Sequence, residues 1–285
     1  MIRVLNAGLY TSVQDFGRLG NSQYGVPYSG VMDRYSAAMA NAILGNAETL
    51  AVLEMTLVGA KLLFECDTYI CISGADMSPK VNGQSVSINK PIEIRKGQVL
   101  SFGKLQRGVR CYLAVLGGFK TEAVLGSQSM YKGVTCLDKI SKNDTIDLNL
   151  NNSFIVNKNA SIKVLDECFD SNVIEVFKGP EFDLLSKNQQ SELLQNDFFI
   201  SKDNNRMAYQ LTELLQNNLK PIITSAVLPG TVQLTPSGKL IILMRDCQTT
   251  GGYPRVLQLK ETAINVLAQK FTGHLIRFKL VLSEF

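Results

Sequence analysis

Short apolar runs separated by glycine-containing turns dominate the first half of the sequence. The run from Cys111 to Leu116 is continuously apolar and ends at Gly117-Gly118, a pattern typical of a strand that is buried on both faces. Residues 81 to 102 carry two hairpin turn signals, Asn82-Gly83 and Lys96-Gly97, with strand-forming residues between and after them. The spacing predicts a β-meander here and a mainly β fold for the chain.

A few short helices are predicted to interrupt the strands. Asp33 precedes a segment whose apolar residues share one face and which stops at Gly45, so residues 34 to 45 are predicted to form a helix with Asp33 as its N-cap. Recurring leucines predict a second helix around residues 181 to 195. A third helix is predicted from about Leu259 to Lys270.

The chain is long enough for two domains or for one large β domain. It has 285 residues, of which 45% are hydrophobic and 19% are charged, so it has enough apolar side chain for a sizeable core. Residues 143 to 159 are rich in Asn, Lys, Asp and Ser and mark the neighbourhood of a boundary. We therefore divide the chain into an N-terminal β domain, 1–170, and a C-terminal β domain, 171–285, and leave open whether they exchange strands.

Charge and histidine content exclude several functions. The formal net charge is +4, and the Lys and Arg residues are scattered singly, which argues against a nucleic-acid partner. The sequence holds one histidine, His274, so Ser-His-Asp, Cys-His and multi-histidine zinc sites are hard to build and no metal site is predicted. His274 follows a glycine and enters an apolar run, which favours a structural role at a strand edge.

The cysteines and the apolar runs favour a cytoplasmic protein. The six cysteines form no CxxC pair, and several lie in apolar strand-like runs where a reduced thiol packs as a small hydrophobe. The N-terminus lacks a basic stretch followed by an apolar segment, and no apolar run approaches the length of a membrane span. We expect no membrane association.

The common nucleotide and nucleophile motifs are missing from the sequence. It contains no GxxxxGK[ST] phosphate loop, no GxGxxG, no GxSxG elbow and no Met-Lys-Met biotinylation site. No covalent biotin is therefore expected in this chain. A nucleotide that takes part in the chemistry would not be held here by a common loop signature.

Residues 8 to 33, GLYTSVQDFGRLGNSQYGVPYSGVMD, form the first candidate site. Gln14, Asp15 and Arg18 lie among glycines, where a carboxylate, an amide and a guanidinium beside exposed backbone would suit a polar ligand. An Asx-type turn, in which Asp15 caps local backbone and pairs with Arg18, explains the same residues equally well.

Residues 229 to 255 form the second candidate site, at the end of a predicted strand that covers residues 240 to 244. Paired glycines allow close backbone approach there, and a turn satisfied by its own threonine hydroxyls is the alternative. Cys247 has no neighbouring histidine to activate it as a nucleophile. The candidate side chains and glycines are Asp246, Gln248, Thr249, Thr250, Gly251, Gly252 and Tyr253.

Two further residues are weaker candidates. Glu54 lies in an apolar strand, either as an acid or base with a raised pKa or as the buried partner of an arginine. Arg206 offers a guanidinium that suits a substrate carboxylate.

Together these segments resemble the family described as allophanate hydrolase subunit 2, KipI antagonist (KipA) or the C subunit of 5-oxoprolinase. The resemblance follows the family's order over almost the whole chain. It rests on GLYTSVQDFGRLG, YSGVMDRYSAAMANAILGN, LEMT, YLAVLGGF followed by VLGSQS, GPE at 179 to 181, NRMAYQL, and PGTVQLTPSGKLIILMRDCQTTGGYPR.

The resemblance implies a cyclophilin-like β-barrel architecture, similar to the carboxyltransferase lobe of urea carboxylase. It also implies two partners, which are the KipI-like B subunit and the LamB/YcsF-like A subunit of 5-oxoprolinase. Such a complex uses ATP, shared between its subunits, to hydrolyse 5-oxo-L-proline to L-glutamate, and the isolated chain is expected to be inactive. ATP is expected to drive the step by phosphorylating the amide oxygen before water attacks.

The resemblance also suggests roles for the candidate residues. Asp246, with Gln248, Thr249 and Thr250, would polarise the amide or orient water. Arg18 or Arg206 would hold the substrate carboxylate or a phosphate, with Asp15 orienting Arg18. Gln14, Gly251, Gly252 and Tyr253 are expected to complete the binding surface.

The sequence departs from the family pattern at one important place. Residues 132 to 137, Lys-Gly-Val-Thr-Cys-Leu, stand where the family usually carries a Gly-Gly-x-x-Gly-Arg stretch. Ala208 replaces a usual Gly, and Ala263 replaces a commonly acidic residue.

Three alternative functions stay open: a KipA-like antagonist of a KipI-type kinase inhibitor, a carboxyltransferase relative that acts on urea-like amides with biotin supplied by another chain, and a ligand-binding β module without chemistry.

Overall fold

The structure, a computed structural model, describes residues 1–149 and 167–281 and groups the chain into two compact units. The first comprises Met1–Arg18 and Ser29–Asp166, of which residues up to 149 are described. The second comprises Leu19–Tyr28 and Glu167–Phe285, described as far as residue 281. The sequence division at residue 170 differs from this grouping in the segments 19–28 and 167–170, which it assigned to the first domain.

The first unit contains twelve strands and one α-helix in its described residues. The strands are β1 Ile2–Asn6, β2 Tyr10–Gln14, β3 Val52–Thr56, β4 Lys61–Phe64, β5 Thr68–Asp76, β6 Pro79–Val81, β7 Gln84–Ser85, β8 Ile92–Ile94, β9 Val99–Phe102, β10 Arg107–Val115, β11 Phe119–Lys120 and β12 Thr145–Leu148, and the helix is α1 Arg34–Leu44.

The twelve strands form two sheets that share one core. The seven-stranded sheet has the order β11-β12-β1-β4-β9-β6-β7, and the five-stranded sheet has the order β2-β3-β10-β5-β8. Ile2 and Phe64 from the first sheet and Leu53 and Leu113 from the second are fully buried in the same apolar cluster. Burial alternates with exposure along β1, as expected of a strand with one solvated face.

Helix α1 covers the other face of the five-stranded sheet. Ala40 and Leu44 pack in a second apolar cluster with Tyr112 and Ala114 of β10. Strand β10 is therefore buried on both faces, which confirms the prediction made from its continuous apolar run. The side chain of Asp33 accepts the N–H of Ser36 at 3.0 Å, and Gly45 ends the helix with φ 74°, so both predicted helix ends are confirmed.

The predicted β-meander is wrong, although one of its two hairpins is present. Asn82-Gly83 forms the turn between β6 and β7, with positive φ at both residues. Strand β8 pairs with β5, whereas β9 pairs with β4 and β6 in the other sheet. Ile94 and Leu100 both enter the shared core, so the turn at residues 96 and 97 carries the chain across the core instead of joining two paired strands.

The second unit contains nine strands and three α-helices in its described residues. The elements are α2 Glu167–Asp170, β13 Val173–Lys178, α3 Lys187–Gln195, β14 Phe198–Asn204, β15 Ala208–Leu214, β16 Ser225–Ala226, β17 Thr231–Leu234, β18 Lys239–Leu243, β19 Thr250–Gly251, β20 Arg255–Leu259, α4 Glu261–Ala268 and β21 Leu275–Leu280.

Seven of these strands close a barrel in the order β13-β20-β17-β18-β15-β14-β21. Val232, Ile242, Val256 and Phe278 lie on four of its strands and are almost completely buried. The short strands β16 and β19 pair outside the barrel. The predicted class, mainly β with a barrel and a few short helices, is confirmed.

Two predicted helices differ from the observed ones in their bounds. The helix predicted around 181 to 195 is divided into a 3₁₀ turn, Phe182–Leu184, and α3. Ser186 caps α3 with a capping box, because its side chain accepts the N–H of Gln189 and its own N–H donates to the side chain of Gln189 at 2.8 Å. The third helix begins later than predicted, since Leu259 is the last residue of β20.

The predicted boundary stretch 143 to 159 is described only in part. Ile146 and Leu148 lie on β12, and residues 150 to 159 lie outside the described residues. Among the helices that the structure describes, none is both long and apolar enough to cross a membrane.

Candidate functional site

Arg206 and Asp246 form an ion pair at one end of the barrel. Arg206 lies just before β15, and its Nε and Nη2 donate to Oδ2 and Oδ1 of Asp246 at 2.8 Å and 3.0 Å. The N–H of Asp246 donates to the carbonyl of Arg206 at 2.9 Å. Both side chains are almost buried, with exposures of 8% and 11%. The structure thus brings together two candidate residues that came from separate segments of the sequence, and it makes them partners of each other.

The residues that follow Asp246 form a loop covered by a neighbouring segment. The carbonyls of Thr249 and Gly252 accept the N–H groups of Val227 and Ile222 at 3.1 Å and 2.9 Å. Gln248 and Thr249 are half-buried, whereas the side chains of Thr250 and Tyr253 are exposed. The side chains open to a ligand are therefore at the far end of the loop from Asp246.

Gly251 lies where a neighbouring side chain comes close to the backbone of this loop. A Cβ at residue 251 would lie 2.4 Å from the side-chain nitrogen of Gln233, which is only 2% exposed. A Cβ at Gly252 would meet its nearest atom, the carbonyl oxygen of Ile222, at 3.3 Å. The prediction of close backbone approach therefore has its physical basis at the first glycine.

Cys247 is buried beside the ion pair. Burial raises the pKa of its thiol to about 12, with a further contribution from the negative charge of Asp246. The thiol is therefore protonated at neutral pH, in agreement with the expectation that it lacks an activator.

Two more arginines near this loop have carboxylate partners that the sequence did not reveal. Arg245 pairs with Glu261 at 2.5 Å, and Arg255 pairs with Glu181 at 2.9 Å. The hydrogen bond from Arg255 is the main cause that lowers the pKa of Glu181, with partial burial opposing it. Glu181 is the last residue of the GPE motif. That motif is the sequence feature that could have pointed to the ion pair with Arg255.

Asp15, in the first unit, holds a turn of the chain more than a hundred residues away. Its carboxylate accepts from the N–H of Gly17 at 2.8 Å, the hydroxyls of Ser127 and Ser129 at 2.6 Å each, and the N–H of Gln128 at 2.7 Å. The contact with Gly17 is the predicted Asx-type turn. The other three contacts fix the GSQS segment, for which the sequence offered no partner.

Gln14 and Arg18 hold the same turn. The side chain of Gln14 donates to the carbonyl of Met130 at 3.1 Å. Arg18, which is 1% exposed, donates to the carbonyl of Ser129 and to that of Val124. The three predicted binding residues of the first segment are thus built into the hydrogen-bonded framework of residues 124–130, with Gln14 and Arg18 buried and Asp15 half-buried.

Glu54 belongs to a buried polar network beneath the start of helix α1. Its carboxylate accepts the N–H of Met32 at 2.8 Å and lies 3.8 Å from Nε of Arg110. The hydroxyl of Tyr112 accepts the N–H of Asp33 at 2.8 Å. Burial, together with the charges of Glu54 and Asp33, raises the pKa of Tyr112 well above its usual range. Glu54 is fully buried, which matches the predicted role as partner of an arginine.

His274 precedes strand β21. Its carbonyl accepts the N–H of Ile200 at 3.0 Å, and its ring centroid lies 4.2 Å from that of Phe271. Burial and the positive charge of Lys270 lower the pKa of its imidazole. Within residues 1–149 and 167–281, no group of three or more His, Cys, Asp or Glu side chains could hold a metal ion.

Comparison with known proteins identifies the family to which this chain belongs. Residues 24–280 match the family model described as the carboxyltransferase domain, subdomain A and B. The chain belongs to this family. The carboxyltransferase domain here is 32% identical, over 98% of the chain and 90% of the relative, to the C subunit of 5-oxoprolinase from Escherichia coli (strain K12). The resemblance inferred from the motifs is thereby confirmed.

Other matches place the carboxyltransferase domain within longer polypeptides. The urea amidolyase of Saccharomyces cerevisiae is 41% identical over 131 residues, which are 46% of this chain and 7% of that protein. The crystal structure of TTHA0988 superposes with a TM-score of 0.89 at 24% identity, over 98% of this chain and 56% of that one. The chain therefore spans about half of TTHA0988, and that likeness concerns the fold.

Proposed function

We propose that this chain is the C subunit of an ATP-dependent 5-oxoprolinase, which hydrolyses 5-oxo-L-proline to L-glutamate. The observation that carries the proposal is the 32% identity to the C subunit of the Escherichia coli enzyme, over 98% of this chain and 90% of the relative. A second relative with the same name, from Haemophilus influenzae, is 29% identical over 99% of the chain. Near-complete coverage in both directions supports a shared function more strongly than a shared domain does.

The proposed partners are a KipI-like B subunit and a LamB/YcsF-like A subunit. The names of both relatives describe one subunit of an enzyme, which supports a complex of several chains. We also infer a cytoplasmic location, which is supported by the free thiols of Cys66, Cys71, Cys111, Cys136 and Cys247. The isolated chain is expected to be inactive.

The residues of the second unit do not by themselves fit ATP. Triphosphates are commonly held by guanidinium forks and by glycine-rich loops at helix N-termini. Here Arg206, Arg245 and Arg255 direct their forks to carboxylates of the same unit, and the sequence has no phosphate loop. We therefore propose that the partner chains supply most of the nucleotide site.

We propose that the loop after Asp246 contacts the lactam. Arg206 would orient the Asp246 carboxylate, and the exposed hydroxyl of Thr250 and the amide of Gln248 would polarise the lactam carbonyl or orient water. Arg18 is buried and bonded to backbone, so its proposed role is indirect, through the turn that it supports.

The decisive test is a reconstituted complex of this chain with its two candidate partners, the KipI-like and the LamB/YcsF-like proteins. We expect 5-oxoproline to stimulate ATP hydrolysis in the complex and not in the isolated chain. Thr250→Val, which removes an exposed hydroxyl assigned to the lactam, should strongly reduce stimulation while the complex still assembles, and Asp203→Asn, which alters an exposed residue of the same unit, should not. An assembled complex without stimulation would refute the proposal.

A carboxyltransferase acting on urea-like amides is the second candidate. It is favoured by the 41% identity to urea amidolyase, which is higher than the identity to the 5-oxoprolinase relatives but covers less than half of the chain. If the same complex transferred a carboxyl group from a biotinylated carrier to urea, that result would support this second function over the first.

A further inference from the structure

A cavity of about 310 Å³ lies in the first unit, beside strands β11 and β12. Its size is at the lower end of the range for small-molecule sites. It is lined by residues between 120 and 147, and none of them was among the predicted site residues, although residues 132–137 were noted for their departure from the family pattern. The buried side chains of Met130, Ile140 and Ile146 give it an apolar floor.

One wall of this cavity is the turn that the first candidate segment holds in place. Gln128 and Met130 line the cavity. Behind them, the N–H of Gln128 donates to Asp15 at 2.7 Å, and the carbonyl of Met130 accepts from Gln14 at 3.1 Å. Arg18 donates to the intervening carbonyl of Ser129. Arg18 is a buried charged residue, and such a residue is costly unless it is paired or hydrogen-bonded, so its bond to the Ser129 carbonyl supports the shape of this wall.

Glu122 ties together another part of the cavity lining. Its Oε2 accepts the N–H of Cys136 at 3.0 Å, and its Oε1 accepts the thiol at 3.5 Å. This contact holds residues 135–137 at the cavity. They belong to the segment 132–137, in which the sequence departs from the family pattern.

The charges around the cavity are mainly negative. Among the described residues that line it, Lys120 is the one cationic side chain, against the carboxylates of Glu122, Asp144 and Asp147, although the whole chain has a net charge of +4. The hydrogen bond to Glu122 and the charge of that carboxylate raise the pKa of the Cys136 thiol, so the thiol stays neutral. An anion would meet net repulsion here, and a cation would meet attraction.

We propose that this cavity binds a small organic cation, with an ammonium or guanidinium group directed to Glu122 and Asp147 and a short apolar body on Met130, Ile140 and Ile146. Gln14, Asp15 and Arg18 are positioning residues that fix the wall. The site goes beyond the proposed enzymatic function, because 5-oxoproline is an anion.

The test compares three probes of equal length on the purified full chain: n-pentylamine, pentanoate and 1-pentanol. Binding is followed by isothermal titration and by amide chemical shifts of residues 120–147. We expect saturable binding of pentylamine and an affinity for pentanoate that is lower by about tenfold or more. Equal or tighter binding of pentanoate or pentanol, or no saturable binding of pentylamine, would overturn the proposal.

Two variants locate the binding. Asp147→Asn and Glu122→Gln should each weaken pentylamine about threefold or more, whereas Glu48→Gln, an exposed residue of the same unit outside the cavity, should not. If Glu122→Gln unfolds the chain, Asp147→Asn decides alone, because Asp147 is exposed. Unchanged affinity in Asp147→Asn would refute the site. No partner or ATP is needed, so the outcome is independent of the proposed 5-oxoprolinase activity.

Discussion

The guanidinium of Arg206 holds the carboxylate of Asp246 with two hydrogen bonds, Nε to Oδ2 at 2.8 Å and Nη2 to Oδ1 at 3.0 Å. A backbone hydrogen bond between the same two residues reinforces the pair. It joins the segment before β15 to the segment after β18, the strand that leads into the candidate loop. The pair therefore sets the start of that loop, whichever substrate the loop meets.

Replacing Arg206 by Ala should strongly destabilise the chain. Asp246 would be left almost buried without its partner, and loss of one member of a buried pair costs about 3–5 kcal/mol. Urea denaturation measures the change. Lys178→Ala, which breaks an exposed pair with Asp183, is the control and should have little effect. Equal changes in unfolding free energy for the two variants would show that the buried Arg206–Asp246 pair contributes no more to stability than an exposed pair.

Replacing Asp15 by Asn should loosen the turn at residues 124–130. An amide offers one acceptor oxygen where the carboxylate receives four hydrogen bonds, and a hydrogen bond to a charged group contributes about 1.5–3 kcal/mol. We expect a loss of about 2 kcal/mol and faster amide exchange at Gln128. Unchanged exchange at Gln128 would contradict the role assigned to Asp15.

Gly251 and Gly252 should respond differently to the same substitution. In Gly251→Ala the new methyl group would lie 2.4 Å from the buried amide of Gln233, whereas in Gly252→Ala the closest atom lies at 3.3 Å. Overpacking of this kind costs about 1–3 kcal/mol, so Gly251→Ala should lower the melting temperature more than Gly252→Ala. The reverse order would show that Gln233 moves aside.

The sequence predicted those parts of the fold that depend on local signals. Asp33 and Gly45 defined α1 because N-caps and left-handed glycines act within one turn of a helix. The meander was predicted wrongly because turn signals do not specify which strand becomes the partner. Ile94 and Leu100 lie on the two sides of the turn signal at residues 96 and 97, yet they meet in the core from opposite sheets.

The sequence predicted which types of residue form the candidate site, but it did not predict which residues contact each other. Arg206 and Asp246 are separated by 40 residues, and Asp15 and Ser129 by 114. Only the barrel and the paired sheets bring them together. The cavity at residues 120–147 was not predicted, because the sequence showed only that residues 132–137 depart from the family pattern, and the lining becomes a site only through its arrangement.

The contribution of Glu181 to stability should depend on pH. The hydrogen bond from Arg255 lowers the pKa of Glu181 in the folded chain. A carboxylate whose folded pKa is depressed adds stability that is present above its unfolded pKa of about 4.3 and is lost as the pH falls through the folded value. The difference in unfolding free energy between the native chain and Glu181→Gln should therefore be largest near neutral pH and should shrink below about pH 4.

Urea denaturation of both proteins between neutral pH and the acid limit of folding measures this difference. Glu192→Gln removes an exposed carboxylate from helix α3 of the same unit and controls for the general loss of one negative charge. A difference for Glu181→Gln that stays constant or grows on acidification would mean that the Arg255 pair does not favour the ionised carboxylate. Because Arg255 also donates to the carbonyl of Ala226 at 3.0 Å, the substitution should additionally loosen the segment that covers the candidate loop.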